Sequence, residues 1–240
     1  MDRFRHMMTV VLLSGIAAGL ILFAVQHLTI VPLIQKAEVY EKAGKESEAA
    51  SSGGHRHDEG WQPAAGLERT SFTALATVLT GIGFAAVLFG VFFLVGTPLD
   101  AKRGLLLGLA AFTCVGLAPA VGLPPQPPGV AVADLHARQI WWTGTVIATG
   151  IALWLLFGKR IPKLVRPLGI IILILPHLIG APRATGQNVV PEQLIHRFTL
   201  LSIATTGIFW LLLGLLGGLL YQLVQATDAD SSGSEPARLP

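Results

Sequence analysis

Six stretches of this 240-residue chain contain no Asp, Glu, Lys or Arg: 7–35, 70–99, 104–133, 139–158, 167–182 and 198–227. Nothing in the sequence constrains the fold more, because a run of about 18 or more apolar residues is what a helix needs to cross a bilayer. All but 167–182 reach that length. The composition agrees: 52% of residues are hydrophobic and 13% charged, with a mean hydropathy of +0.63, whereas soluble domains are about a quarter charged. The chain is therefore expected to be an all-α membrane protein, a polytopic helical bundle of about six transmembrane helices. Its first apolar run follows Arg3 and Arg5 but is too long for a secretory signal core and lacks a small-x-small cleavage site, so it reads as a retained anchor.

Basic residues set the orientation. With the N-terminus inside, the short inner segments hold Arg3 and Arg5, then Lys102 and Arg103, then Lys159, Arg160, Lys163 and Arg166, and the tail adds Arg238. The outer segments carry nearly as many, but spread over a long, net acidic loop at 36–69 and two Pro-containing connections. Both termini are expected inside. The pI near 9.3 follows from basic inner loops and calls for no nucleic acid.

The expected organisation is an N-terminal segment with helix one (1–35), an outer loop (36–69), helices two to six (70–227) and a disordered inner tail (228–240). Residues 36–45 should prolong helix one by a turn or two, and Ala49 to Gly54 read as a flexible linker. Three small-residue motifs, Gly15-x-x-x-Gly19, Gly104-x-x-x-Gly108 and Gly214-x-x-x-Gly218, allow close helix approach. Prolines near the ends of outward-going helices and arginines before returning ones (Arg69, Arg138, Arg197) would fit three helical hairpins, although loop and snorkelling chemistry produces the same pattern.

On this topology six of the seven histidines, His27, His55, His57, His136, His177 and His196, face the outer side. Imidazole is the commonest protein metal ligand. His55-x-His57 followed by Asp58 and Glu59 supplies nitrogen and oxygen donors suited to Co²⁺, Ni²⁺ or Zn²⁺. Asp134 and His136 stand together in a later outer loop, where a solvated pair is the commoner case. His27 and His177 are the histidines that lie within apolar stretches, and such ionisable residues at membrane depth are functional candidates by default. His177 follows Pro176 in the short fifth stretch, whose Leu175-Pro176-His177 to Gly180-Ala181-Pro182 run is expected to break the helix and free a carbonyl. The third stretch has its own interruption at Pro119 and Gly122-Leu123-Pro124-Pro125, and Pro-broken spans in matching positions point to a transport site. Trp141 and Trp142 read as interface anchors without chemistry.

Other chemistries are excluded or unsupported. The lone Cys114 sits inside an apolar stretch, so neither a disulfide framework nor a thiolate cage is available, and Met1, Met7 and Met8 form no ladder for Cu(I). No phosphate-binding Gly-x-x-x-x-Gly-Lys-Ser/Thr loop or His-Glu-x-x-His motif occurs. An inside-negative potential would instead favour inward movement of a divalent cation by about 4.6 kcal/mol per 100 mV, twice the single-charge value.

Taken together, the histidine cluster leading into Trp61-x-Pro63-x-x-Gly66-Leu67-Glu68-Arg69-Thr70, the run Gly122-Leu123-Pro124-Pro125-x-x-Pro128-Gly129, Arg138-Gln139-x-Trp141-Trp142 and Pro176-His177-x-x-Gly180-Ala181-Pro182 resemble the CbtA family of predicted bacterial cobalt transporter subunits. The resemblance covers nearly the whole chain. It implies a multi-spanning, non-enzymatic subunit of the bacterial inner membrane for cobalt uptake, linked to cobalamin synthesis and paired with a small single-span, His-containing CbtB-like subunit. A homo-oligomer stays open. No tightly bound cofactor is implied, only transported Co²⁺, or Ni²⁺ or Zn²⁺, as ligand. The richest members carry more loop histidines than the two here. Two other readings compete: a membrane redox protein with His27 and His177 as axial haem ligands, and a non-conducting metal-buffering or sensor subunit.

Overall fold

The computed structural model describes residues 2–52, 63–95 and 99–233, and among these every regular element is helical. The order is α1 (Asp2–Thr29), α2 (Val31–Ser52), α3 (Leu67–Val95), α4 (Ala101–Ala111), a π-helical turn (Phe112–Leu117), α5 (Ala118–Gly122), α6 (Leu135–Phe157), a 3₁₀ turn (Lys163–Val165), α7 (Arg166–Ile179) and α8 (Glu192–Gly233). Five helical segments are long and apolar enough to cross a membrane: Phe4–Thr29, Leu67–Phe92, Ala101–Gly122, Leu135–Phe157 and Glu192–Thr227. This is an all-α polytopic membrane protein. The expected sixth span is α7, whose 14 residues reach only about 21 Å, short of the roughly 30 Å hydrocarbon core.

The chain forms two compact units, one from residues 1–23, 65–109 and 208–240, the other from 24–64 and 110–207. In the first, helices meet backbone to backbone through glycine. A Cβ added to Gly15 would lie 2.6 Å from Ile82 Cα, and one on Gly19 would lie 2.8 Å from Val78 Cα, so α1 and α3 touch with no side chain between them. A Cβ on Gly104 or Gly108 would overlap the carbonyl of Gly214 or Trp210, and one on Gly218 would overlap that of Asp100. All three small-residue motifs therefore sit in helix contacts, where close approach supplies the packing energy that lipid cannot. Beside them Phe209 meets Phe84 and Trp210 edge to face, at centroid distances of 6.1 and 5.5 Å, Phe84 packs tilted on Trp210 at 4.9 Å, and Phe89 covers Gly217.

The second unit contains α2, α6, α7 and the irregular connections. Pro32 lies in the first turn of α2, where its missing N–H costs no helical bond. The segment expected to add one or two turns, followed by a flexible linker, is instead a 22-residue helix through Ser52. Leu33 and Ala37 are buried, Glu41 and Gly44 half-buried, and these four fall on one stripe; Gly44 and Glu41 face Val189 and Gly129. A small core of Ile30, Leu33 and Phe198, with Ile34, Leu194 and Leu201 around it, fixes α2 against the start of α8. Helices α6 and α7 form an antiparallel hairpin: Gly169 lies against Leu155 and Leu156, while at the other end Trp141 reaches Pro176. Likewise α8 continues to Gly233, into the segment expected to be an unstructured tail; 234–240 lie outside the described residues.

Both proline-bearing spans accommodate their prolines without a break. In Ala101–Gly122 the hydrogen-bond register widens before Pro119: the Ala118 N–H donates to Thr113 O, a five-residue step, and the helix then runs on to Gly122. Such π-turns absorb a missing donor and recur at functional sites. In α7 the helix carries Pro176 inside its last turn and ends at Gly180, whose φ of +87° stops it. The expected break at Pro176 is therefore corrected to a stop at Gly180. Proline this close to the C-terminus removes one bond, to Ile172 O, and leaves the preceding turns intact.

Candidate functional site

At the mouth of the α6–α7 hairpin the indole of Trp141 gathers three segments. Its Nε1 donates to Pro176 O at 3.2 Å, its ring meets the His177 imidazole edge to face at 5.9 Å, and it lies so close over Gly122 that a Cβ there would overlap it. Gly122 is thus the residue that lets α5 end under the tryptophan. Pro176 O also accepts from Gly180 N at 3.1 Å, so this carbonyl is engaged twice and the one freed by proline is that of Ile172, a turn earlier.

Next to this junction is a cavity of about 380 Å³ lined by residues 122–124, 126, 131–133, 138 and 180–184. The connections that wall it are tied down by polar contacts. Thr199 Oγ1 donates to Pro125 O at 2.8 Å, Ala131 N donates to Asn188 Oδ1 at 3.1 Å, and Gly129 turns with φ +79° where the Val189 N–H reaches its carbonyl at 3.4 Å. The lining is small and proline-rich except for Gln126, Arg138 and Arg183.

Four of the six histidines expected at the outer side are among the described residues. His27 is exposed in the last turn of α1, His136 is exposed at the start of α6, His196 is exposed near the start of α8, and His177 is half-buried against Trp141. All four belong to the second unit. Among the described residues, however, no three His, Cys, Asp or Glu side chains come together as a metal-holding group. Asp134 is occupied as the cap of α6, its Oδ1 accepting from Ala137 N at 2.9 Å. His55, His57, Asp58 and Glu59 lie outside the described residues.

In the sequence Arg138 stands out as a helix-mouth arginine and as part of the Arg138-Gln139-x-Trp141-Trp142 motif, whereas Gln126 and Arg183 do not stand out. A signal was nonetheless available. The runs at 122–125, 138–142 and 176–182, far apart in sequence, all contribute to this one corner of the fold.

Residues 4–222 match the sequence model of the family described as probable cobalt transporter subunit (CbtA). The chain belongs to the CbtA family. It is thus a multi-pass membrane protein from a family of transporter subunits, and the family assignment is one of transport, not catalysis. No curated protein and no solved structure matches the chain.

Proposed function

We propose that this CbtA-family chain is the membrane subunit through which a divalent cation, Co²⁺ foremost, enters a bacterial cell across the inner membrane, together with a small single-span, His-containing CbtB-like partner. The observation that carries the reading is the family match over 4–222 of a chain with five membrane-length apolar helices. Nickel and zinc favour the same donors, so the cobalt preference rests on the family alone. No tightly bound cofactor is needed.

In this reading both termini are cytoplasmic, an orientation supported by the basic residues of the short segments at 102–103 and 159–166. An even number of crossings then requires α7 and the irregular connection after it to complete a sixth traverse. His55, His57, Asp58 and Glu59 capture metal outside, and His27, His136 and His196 stand near the entrance. His177 passes the ion inward; its support is that, of the four described outer-side histidines, it is the half-buried one and packs against the aromatic hinge between α6 and α7.

Uptake of Co²⁺, Ni²⁺ and Zn²⁺, measured in parallel in cells lacking other cobalt importers, tests the reading. Cobalt should accumulate when this chain and its partner are present. Equal accumulation with and without the chain would instead favour the buffering or sensor role, and a Soret band in the purified protein would favour haem.

A further inference from the structure

The cavity beside Trp141 does not have the chemistry of a cation site. Among the described residues its charged lining is Arg138 and Arg183, its amide is Gln126, and no carboxylate, imidazole or thiol lines it. In the connection beside it, the Pro125 carbonyl accepts from Thr199 and the Gly129 carbonyl from Val189. Asp134, one turn before Arg138 on the same edge, turns its carboxylate to the α6 N-terminus, and among the described residues neither arginine forms an ion pair. Two arginines lining one space of about 380 Å³ bring two positive charges to it, and such a potential repels a bare divalent ion and attracts an anion.

We propose that this cavity is an oxyanion site, in which Arg138 and Arg183 hold a carboxylate or phosphate group and Gln126 donates a further hydrogen bond. Guanidinium groups present planar, paired donors that match the two oxygens of a carboxylate or phosphate, which a lysine or a backbone amide does not. Arg138 is half-buried and anchored on α6, so it supplies the fixed side of the site, whereas the exposed Arg183 on the connection after α7 supplies the adaptable side. The volume admits a small polycarboxylate as well as inorganic phosphate. The inference does not depend on which metal the protein carries or whether it conducts alone.

The test is a binding titration of the purified full-length protein with citrate and with inorganic phosphate at constant ionic strength, read by thermal stabilisation, with chloride as the control anion. Saturable stabilisation by citrate or phosphate is expected, and affinity should fall at least tenfold in Arg138→Gln and Arg183→Gln combined. Lys163→Gln, away from the cavity, should bind as the wild type does. If the double variant does not fold, the exposed Arg183→Gln alone reads the same effect at smaller size. Repeating the titration in nanodiscs of phosphatidylcholine with and without phosphatidylglycerol identifies the source of the anion. Competition by the anionic lipid assigns the site to a headgroup, and undiminished citrate binding assigns it to a free anion. Absence of saturable binding by either probe, or unchanged affinity in the variants, overturns the proposal.

Discussion

The two units of this protein use glycine in opposite ways. In the first, Gly15, Gly19, Gly104, Gly108, Gly214 and Gly218 remove side chains so that helix backbones touch. In the second, Gly129 and Gly180 take left-handed conformations so that the chain can leave its helices and wall a cavity, and Gly122 makes room for an indole ring. The first pattern produces contacts that cannot shift without breaking. The second leaves polar connections, each held by one or two hydrogen bonds, beside a space that can receive a solute. Rigid frame and adaptable site are thus separated within one chain, an arrangement suited to a protein that must hold its helices in lipid while admitting a ligand.

The comparison breaks most readily at Gly214. A Cβ there would overlap the carbonyl of Gly104 and lie 3.0 Å from Gly108 N, and both obstacles are backbone. We expect Gly214→Val to exceed the roughly 1–3 kcal/mol of ordinary overpacking and to abolish recovery of monodisperse protein. Gly150→Ala on α6 meets nothing within 4 Å and should melt as the wild type does or slightly higher. Equal melting temperatures for the two variants would show that the glycine contacts do not carry the first unit.

A smaller but functionally sharper effect is expected at Trp141. Trp141→Ala removes the ring that covers Gly122 and meets His177 and should cost about 3–5 kcal/mol, as large aromatic truncations do. Trp141→Phe keeps most of the ring and loses the bond to Pro176 O, for about 0.5–1.5 kcal/mol. If the hinge serves the site, the phenylalanine variant should transport metal more slowly than its small loss of stability accounts for. Normal uptake would leave Trp141 as an interface anchor alone.

These residues also show what the sequence could and could not tell. The apolar runs and the three glycine motifs translate directly into spans and helix contacts, because in lipid both depend on local composition and spacing. The α2 helix was hidden, since its inward stripe of Leu33, Ala37, Glu41 and Gly44 lacks the large apolar residues by which an amphipathic helix is recognised. Pro176 misled for a different reason: a proline is a breaker only where a helix must continue, and here it ends four residues later. The cavity was illegible because its arginines, Arg138 in the first turns of α6 and Arg183 on the connection after α7, stand 45 residues apart in number and only the α6–α7 hairpin brings them together.

Within the proposed ion path, His177→Ala should lower uptake at every cobalt concentration, whereas His55→Ala with His57→Ala should lower it only when metal is scarce, because a capture loop ceases to limit at saturation. Concentration-dependent uptake separates the two. If His177→Ala, expressed normally, matches the wild type throughout, this histidine is structural and the path lies elsewhere. Orientation is open to a parallel check in a Cys114→Ala background: an externally added thiol reagent should label His57→Cys and spare Lys163→Cys, and the reverse would invert the topology.

The finest test concerns Thr199, whose hydroxyl donates to Pro125 O at 2.8 Å and so ties α8 to the connection that walls the cavity. Valine has nearly the same shape but no donor. Thr199→Val should therefore cost about 0.5–1.5 kcal/mol, the usual net value of one such bond, with the Pro125 carbonyl left to find water. That loss falls on the adaptable unit, so its consequence should be local: weaker citrate or phosphate binding, with the glycine-packed helices unaffected in hydrogen exchange. Should the variant instead raise exchange in α4 and the second half of α8 as much as around Pro125, the two units would unfold as one, and the separation of frame from site would fail.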